Sequence, residues 1–245
     1  MSPSEKVKYI SNWIKSYVDQ MPSKAQSLVV GISGGIDSSV SSTLSAMTGL
    51  RTIVLSMPIK QKENQHDLSL KHQNWLVEKF KNVEAHTLNL DQLFNSFSST
   101  LNKFDNEHGF ANSRARLRMA TLYQVAAANK GIVVGTGNKV EDFGVGFYTK
   151  YGDGGVDISP IADCNKTEVW ELGKELGILK EIIDAPPTDG LWDDGRTDEG
   201  QLGFSYKDLE DAMKNPDSPH KTEYEKIRKQ NLHKMEPIPV CKIPS

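Results

Sequence analysis

Asp37 sits where a bound anion would be repelled. It belongs to the stretch Gly31-Ile32-Ser33-Gly34-Gly35-Ile36-Asp37-Ser38-Ser39, which follows the apolar run Leu28-Val29-Val30 and precedes a segment with helical patterning. Glycines at such a strand-to-helix turn let backbone N–H groups face an anion. The hydroxyls of Ser33, Ser38 and Ser39 add donors, and the helix N-terminus adds its partial positive charge. The loop carries no lysine, so it is not a Walker-type phosphate loop, and its glycines are not at the offsets of the dinucleotide fingerprint. A carboxylate beside a polyphosphate is tolerated only with a divalent cation between them, so Asp37 predicts magnesium. The competing reading is that the glycines make only a tight turn and Asp37 only caps the helix.

Such a loop needs a strand before it and a helix after it, and the first 150 residues repeat that pattern. Apolar runs suited to buried parallel strands recur at 28–32, 52–57, 83–88 and 132–134. Helix-patterned segments separate them at 37–48, 65–80 and 112–129. An amphipathic helix over 4–20 precedes them, with Val7, Ile10, Ile14, Tyr17 and Val18 on one stripe and Ser4 as its expected N-cap. The alternation predicts an α/β fold with an open parallel sheet flanked by helices. Ligands bind beyond the carboxyl ends of the strands in such sheets, so the loops 31–38 and 135–141 are expected to meet at that edge. Beyond residue 150 come a glycine-rich stretch, Tyr151 to Gly155, and expected helices near 166–176, 206–213 and 219–233. The acidic, proline- and glycine-rich segment from Ala185 to Gly200 reads as a mobile loop.

Composition bounds the partners. The 245 residues are 37% hydrophobic and 25% charged, which suits a single globular domain over 1–245. A net charge of −3 gives no electrostatic footprint for nucleic acid. Cys164 and Cys241 are far apart and in no metal-ligand spacing, so a reducing compartment is expected. No apolar run approaches the roughly 20 residues that cross a bilayer. The expectation is a soluble cytoplasmic protein without a membrane partner.

The stretch Ser-Gly-Gly-Ile-Asp-Ser-Ser over 33–39 resembles the pyrophosphatase loop of the ATP-pyrophosphatase superfamily. Its members cleave ATP between the α and β phosphates, adenylate a substrate and release pyrophosphate. The loop alone does not choose among the NAD, GMP, asparagine and argininosuccinate synthetases and the tRNA-thiolating enzymes. Further stretches do: Asn-Ser-Arg-Ala-Arg-Leu-Arg-Met (112–119), Val-Val-Gly-Thr-Gly-Asn-Lys-Val-Glu (133–141), the run from Phe147 to Ile161, Asn-Lys-Thr-Glu-Val (165–169) and the pair His233-Lys234. Together and in order they resemble the NAD synthetases. A GMP synthetase would need a dimerisation domain, and a thiolating enzyme would be expected to carry reactive or metal-binding cysteines.

The resemblance implies a Rossmann-like fold of the ATP-pyrophosphatase type and a set of roles. ATP falls to Gly31, Ile32, Ser33, Gly34, Gly35, Ile36, Asp37, Ser38, Thr136, Lys166 and Thr188. Magnesium falls to Asp37 and Glu141, two carboxylates from two strand ends. Deamido-NAD falls to Arg116, Lys150, Asp157, His233 and Lys234. Between Glu141 and Phe147 the chain is about one residue longer than in many members. At 100° per residue, Arg116 leaves the face shared by Arg114 and Arg118 and lines up with Met119, Ala120 and Tyr123, an apolar face on which a buried arginine needs an anionic partner; by spacing alone a snorkelling side chain or a structural ion pair is an equal alternative. The implied reaction is amidation of deamido-NAD through an acyl adenylate. Glutamine-dependent members append a glutaminase domain for which these 245 residues leave no room, so ammonia is the expected donor. The family also implies a homodimer. Residues 58–64 and 189–200 are candidates for loops that close over the site. From a different class, the competing function is a nucleotide sensor that has lost its chemistry.

Overall fold

The structure is a computed structural model that describes residues 1–60, 63–188 and 197–244. Four apolar runs form strands: β1 (Ser27–Gly31), β2 (Thr52–Ser56), β3 (Val83–Thr87) and β4 (Gly131–Val134). They pair in parallel in the order β3-β2-β1-β4, with Val29 opposite Ile53 on one side and Val133 on the other. Successive strand side chains point to opposite faces. Leu28, Val30, Val54, Ile132 and Val134 therefore join one hydrophobic cluster, while Val29, Ile53, Leu55 and Val133 join another.

Helices cover both faces. They are α1 (Pro3–Gln20), α2 (Ile36–Met47), α3 (Glu63–Lys79), α4 (Asp91–Thr100), α5 (Glu107–Ala128), α6 (Lys166–Leu176), α7 (Lys180–Ile183), α8 (Asp198–Leu202), α9 (Tyr206–Lys214) and α10 (Lys221–Met235). The first cluster takes in α1, α2, α3 and α6, and the second takes in α4 and α5. A third, built on Val140, Val145, Tyr206, Leu209, Ala212 and Tyr224, joins α9 and α10 to a π-helical turn, Val140–Val145. The chain steps outward from β1 to β2 to β3 and returns to the far side of β1 for β4. The crevice between the carboxyl ends of β1 and β4 is thus the topological switch point of the sheet, where open α/β folds bind ligands.

Several boundaries differ from expectation, each for a local reason. Ser2, not Ser4, caps α1: Glu5 N–H donates to Ser2 Oγ (3.3 Å) and Ser2 N–H to Glu5 Oε2 (2.7 Å), and Pro3 occupies a first-turn position that needs no donor. Helix α5 starts five residues before 112, because the Asn106 side chain caps it through Gly109 N–H (2.7 Å). Helix α4 was not expected; Phe94 is its only buried residue. The apolar stripe of α1 is spent inside the chain, with Val7, Ile10, Ile14 and Val18 buried, whereas Tyr17 is 40% exposed.

Candidate functional site

The glycine-rich loop leaves β1 and turns into α2 with Gly34 at φ 91°, a conformation that only glycine adopts without strain. Gly35 is the N-cap of α2 and, having no side chain, makes no side-chain capping bond. The loop is braced from within: Ser33 N–H donates to Ser38 Oγ (3.2 Å), the two hydroxyls lie 3.0 Å apart, and Ser38 Oγ donates to Gly35 O (3.1 Å). Asp37 therefore does not cap its own helix. Its carboxylate reaches out of the loop and accepts from Lys166 Nζ at 2.5 Å and from Asn138 Nδ2 at 3.0 Å.

Lys166 supplies the cation that the loop lacks. It is the first residue of α6, only 2% exposed, and it also donates to Glu141 Oε1 at 2.9 Å. A buried ammonium is tolerated only with such partners. The face of Tyr206, 4.7 Å from Nζ, adds a cation–π contact. Asp37, from the β1 side of the crevice, and Glu141, from the β4 side, thus meet on one lysine. The π-helical turn brings Glu141 there. In its wider winding Gly146 N–H and Phe147 N–H both close back on Glu141 O.

Charge in this cluster is unevenly shared. Burial penalises the carboxylate of Glu141, but the Lys166 ammonium and the Tyr206 hydroxyl outweigh that and hold it below the usual range. Burial prevails at Asp37 and pushes it up despite Lys166. Lys166 stays protonated because its two carboxylates outweigh its burial. Asp142 is half-buried, and its desolvation together with the charges of Glu141, Asp153 and Asp37 pushes its pKa up to about 8. Gly137 makes room for it, since a Cβ there would lie 2.1 Å from Asp142 Oδ2. Two carboxylates on one ammonium leave an excess of negative charge beside the glycine loop. That donor set fits magnesium, which takes one or two protein carboxylates and completes its shell with phosphate and water. Among the described residues no group of three or more His, Cys, Asp or Glu forms an all-protein metal cage.

A cavity of about 400 Å³ opens over this cluster. All eight loop residues from Gly31 to Ser38 line it, as do Thr136, Glu141, Lys166 and Thr188. The structure therefore gathers every residue expected at ATP around one space.

The family model for NAD synthase matches residues 6–243 of this chain. The chain belongs to the NAD synthase family. It is 38% identical over 212 residues to the NH(3)-dependent NAD(+) synthetase of Carboxydothermus hydrogenoformans, covering 84% of this chain and 83% of the relative. Among solved structures, the NMN synthetase from Francisella tularensis superposes with a TM-score of 0.91 at 32% identity over 99% of this chain and 100% of that one. The NH3-dependent NAD synthetase from Campylobacter jejuni shares the fold, with a TM-score of 0.80 at 23% identity over 99% and 100% of the two chains.

In this NAD synthase fold the five residues expected at deamido-NAD lie outside the cavity lining. Four of them are strung along one surface: Arg116 Nε donates to Lys150 O (3.3 Å), Lys150 Nζ to His233 O (2.8 Å), and Lys234 Nζ to Gly146 O (2.7 Å). Arg116 is exposed and carries no buried charge. The reading of an arginine buried on an apolar face is corrected, for it is Arg114 that packs inward, over the ring of Phe94 at 4.9 Å. Arg118 lines the cavity beside Met119 and donates to Met57 O at 3.0 Å. Asp157 is tied to the sheet edge, accepting from Val133 N–H (2.7 Å) and Tyr123 OH (3.1 Å). The loops expected to close over the site fall partly on residues 61–62 and 189–196, outside the described residues; residues 198–200 belong to α8.

Sequence reasoning missed Tyr206. It is 1% exposed, and its hydroxyl donates to Glu141 Oε1 at 2.6 Å with Asp198 Oδ2 3.3 Å away. A tyrosine 65 residues from its carboxylate leaves no spacing signal. Among the described residues no helix is long and apolar enough to cross a membrane.

Proposed function

We propose that this chain is an ammonia-dependent NAD synthetase: it amidates the nicotinate carboxylate of deamido-NAD with ammonia, at the expense of ATP, to give NAD, AMP and pyrophosphate. The observation that carries the reading is the meeting of Asp37, Glu141 and Lys166 beside the glycine loop, at the switch point of an NAD synthase fold. The carboxylate oxygen of the substrate attacks the α-phosphorus of ATP, the bond to the β-phosphate oxygen breaks, and an acyl adenylate and pyrophosphate result. Ammonia then attacks the acyl carbon, loses a proton, and AMP leaves. No side-chain nucleophile is required, so the chain contributes position and charge.

The amides and hydroxyls of 31–38 hold the departing pyrophosphate, with Thr136 and Thr188 on the same nucleotide. Lys166 balances the negative charge of the phosphates and turns toward them from its carboxylates. Asp37 and Glu141 would hold magnesium, which supplies charge neutralisation at the phosphates. Arg116, Lys150, Asp157, His233 and Lys234 bind the dinucleotide where it leaves the cavity.

The near-complete match to the NMN synthetase from Francisella tularensis favours a second reading, in which the acid acceptor is the mononucleotide. One assay decides. With ATP, magnesium and ammonium, deamido-NAD and nicotinate mononucleotide are supplied separately and the products weighed by mass spectrometry. Faster NAD formation supports the first reading, and faster formation of the amidated mononucleotide supports the second. No pyrophosphate from either acid would return the chain to the class of nucleotide sensors. Product formed from glutamine without any partner protein would overturn ammonia as the donor.

A further inference from the structure

Tyr206 stands between two carboxylates with one proton to give. Glu141 Oε1 accepts both Lys166 Nζ at 2.9 Å and the Tyr206 hydroxyl at 2.6 Å, while Asp198 Oδ2 lies 3.3 Å from the same phenol oxygen. A phenol carries a single O–H, so it serves one carboxylate well at a time. The shorter contact assigns it to Glu141 as the structure stands. The ring does not move to choose: it is buried, packed edge-on against Trp170 with centroids 6.0 Å apart, and held under the Lys166 ammonium. Only the O–H turns.

The second acceptor belongs to a wall of the cavity. Asp198 opens α8, and Pro187, Thr188, Thr197 and Asp198 all line the cavity. Asp198 N–H donates to Pro187 O at 3.0 Å, and Tyr206 N–H donates to Glu199 Oε1 at 3.0 Å. Helix α8 is therefore tied to Tyr206 through Glu199 on the backbone side and through Asp198 on the hydroxyl side. A cation that takes lone pairs of Glu141 weakens that carboxylate as an acceptor and leaves Asp198 the better one.

We infer that Tyr206 is a positioning residue that couples cation and nucleotide occupation at Glu141 to the placement of α8 against the cavity. The inference rests on ATP and magnesium occupying the crevice. Its test is hydrogen–deuterium exchange of residues 197–203 in the full chain, without ligand and with magnesium and an ATP analogue uncleavable between the α and β phosphates. Calorimetry measures binding of the same analogue. In the wild type the ligand is expected to slow exchange in α8 several-fold. Tyr206→Phe keeps the ring and is expected to bind the analogue yet lose that ligand-dependent slowing, and to need several-fold more magnesium for half-maximal binding. Asp198→Ala leaves Tyr206 in place and is expected to lose the slowing as well, so a folding defect in one variant does not decide the result. Equal slowing in all three proteins would overturn the coupling. No binding by the wild type would overturn the nucleotide site beneath it and the coupling together.

Discussion

Lys166 is asked to bridge two carboxylates in the absence of ligand and to face phosphates in their presence. Removing one member of a buried ionic cluster leaves uncompensated charge and typically costs about 3–5 kcal/mol. Lys166→Met keeps most of the stem volume and removes the ammonium, so Asp37 and Glu141 repel each other across the crevice. We expect its urea midpoint to fall by a corresponding amount, and magnesium to restore part of the loss, because a divalent cation replaces the missing ammonium. Urea denaturation with and without magnesium checks this. If magnesium stabilises wild type and variant equally, the two carboxylates are not its ligands. The same residue shows how much of the site was legible. The carboxylate in the phosphate loop announced a need for positive charge, and the family resemblance pointed to Lys166. The physical reason for its position, a helix start that carries it into the crevice 129 residues after Asp37, became visible only in three dimensions.

At the scale of elements, strands and long helices were legible because their burial is complete or periodic. All five residues of β2 are buried, and the apolar run reads as a strand without alternation. The π-helical turn was not legible, since neither composition nor periodicity marks a single turn closed by Gly146 and Phe147 N–H on Glu141 O. Tyr206 escaped notice for a related reason, as its role depends on which elements the third cluster packs together. The contact between α2 and α3 carries a pH prediction. His72 is fully buried on α3, with Nε2 3.0 Å from Ser42 Oγ, and Ser42 Oγ in turn donates to Ser39 O at 3.1 Å. The serine proton is thereby used, so His72 Nε2 donates to Ser42 Oγ. Burial pulls its pKa down from 6.5 to about 4. The folded state thus binds fewer protons than the unfolded chain between those values. The stability His72 contributes is fully present above about pH 6.5 and is lost as pH falls toward 4, by up to about 3 kcal/mol at ~1.4 kcal/mol per unit. Thermal unfolding across that range should steepen in its acid limb, and His72→Gln should flatten it; an unchanged slope would count against the assignment.

For the whole molecule, the unresolved tension is between a cavity centred on the glycine loop and a basic surface that lies outside it. Arg116 opens a stripe along α5, with Ala120, Gln124 and Ala128 following at four-residue spacing, all exposed. Residues at i and i+4 share one helical face. Small apolar side chains on the outer face of a 22-residue helix do little in water but allow two helices to approach closely. A dinucleotide that reaches from the crevice to Arg116 and Lys150 would lie across that stripe with solvent on its far side. A second copy of the chain packed on α5 would supply the missing wall. We therefore expect sedimentation equilibrium to give about twice the 27.2 kDa chain mass. Ala120→Glu combined with Gln124→Glu places like charges on both sides of a two-fold contact, and should return the protein to single chains. The binding constant for ATP should be retained in that variant, because the glycine loop and Lys166 lie within one chain, while KM for the dinucleotide acid should rise. A wild type that sediments as single chains at full activity on the dinucleotide would show that α5 is an ordinary solvent face and that one chain binds the acceptor alone.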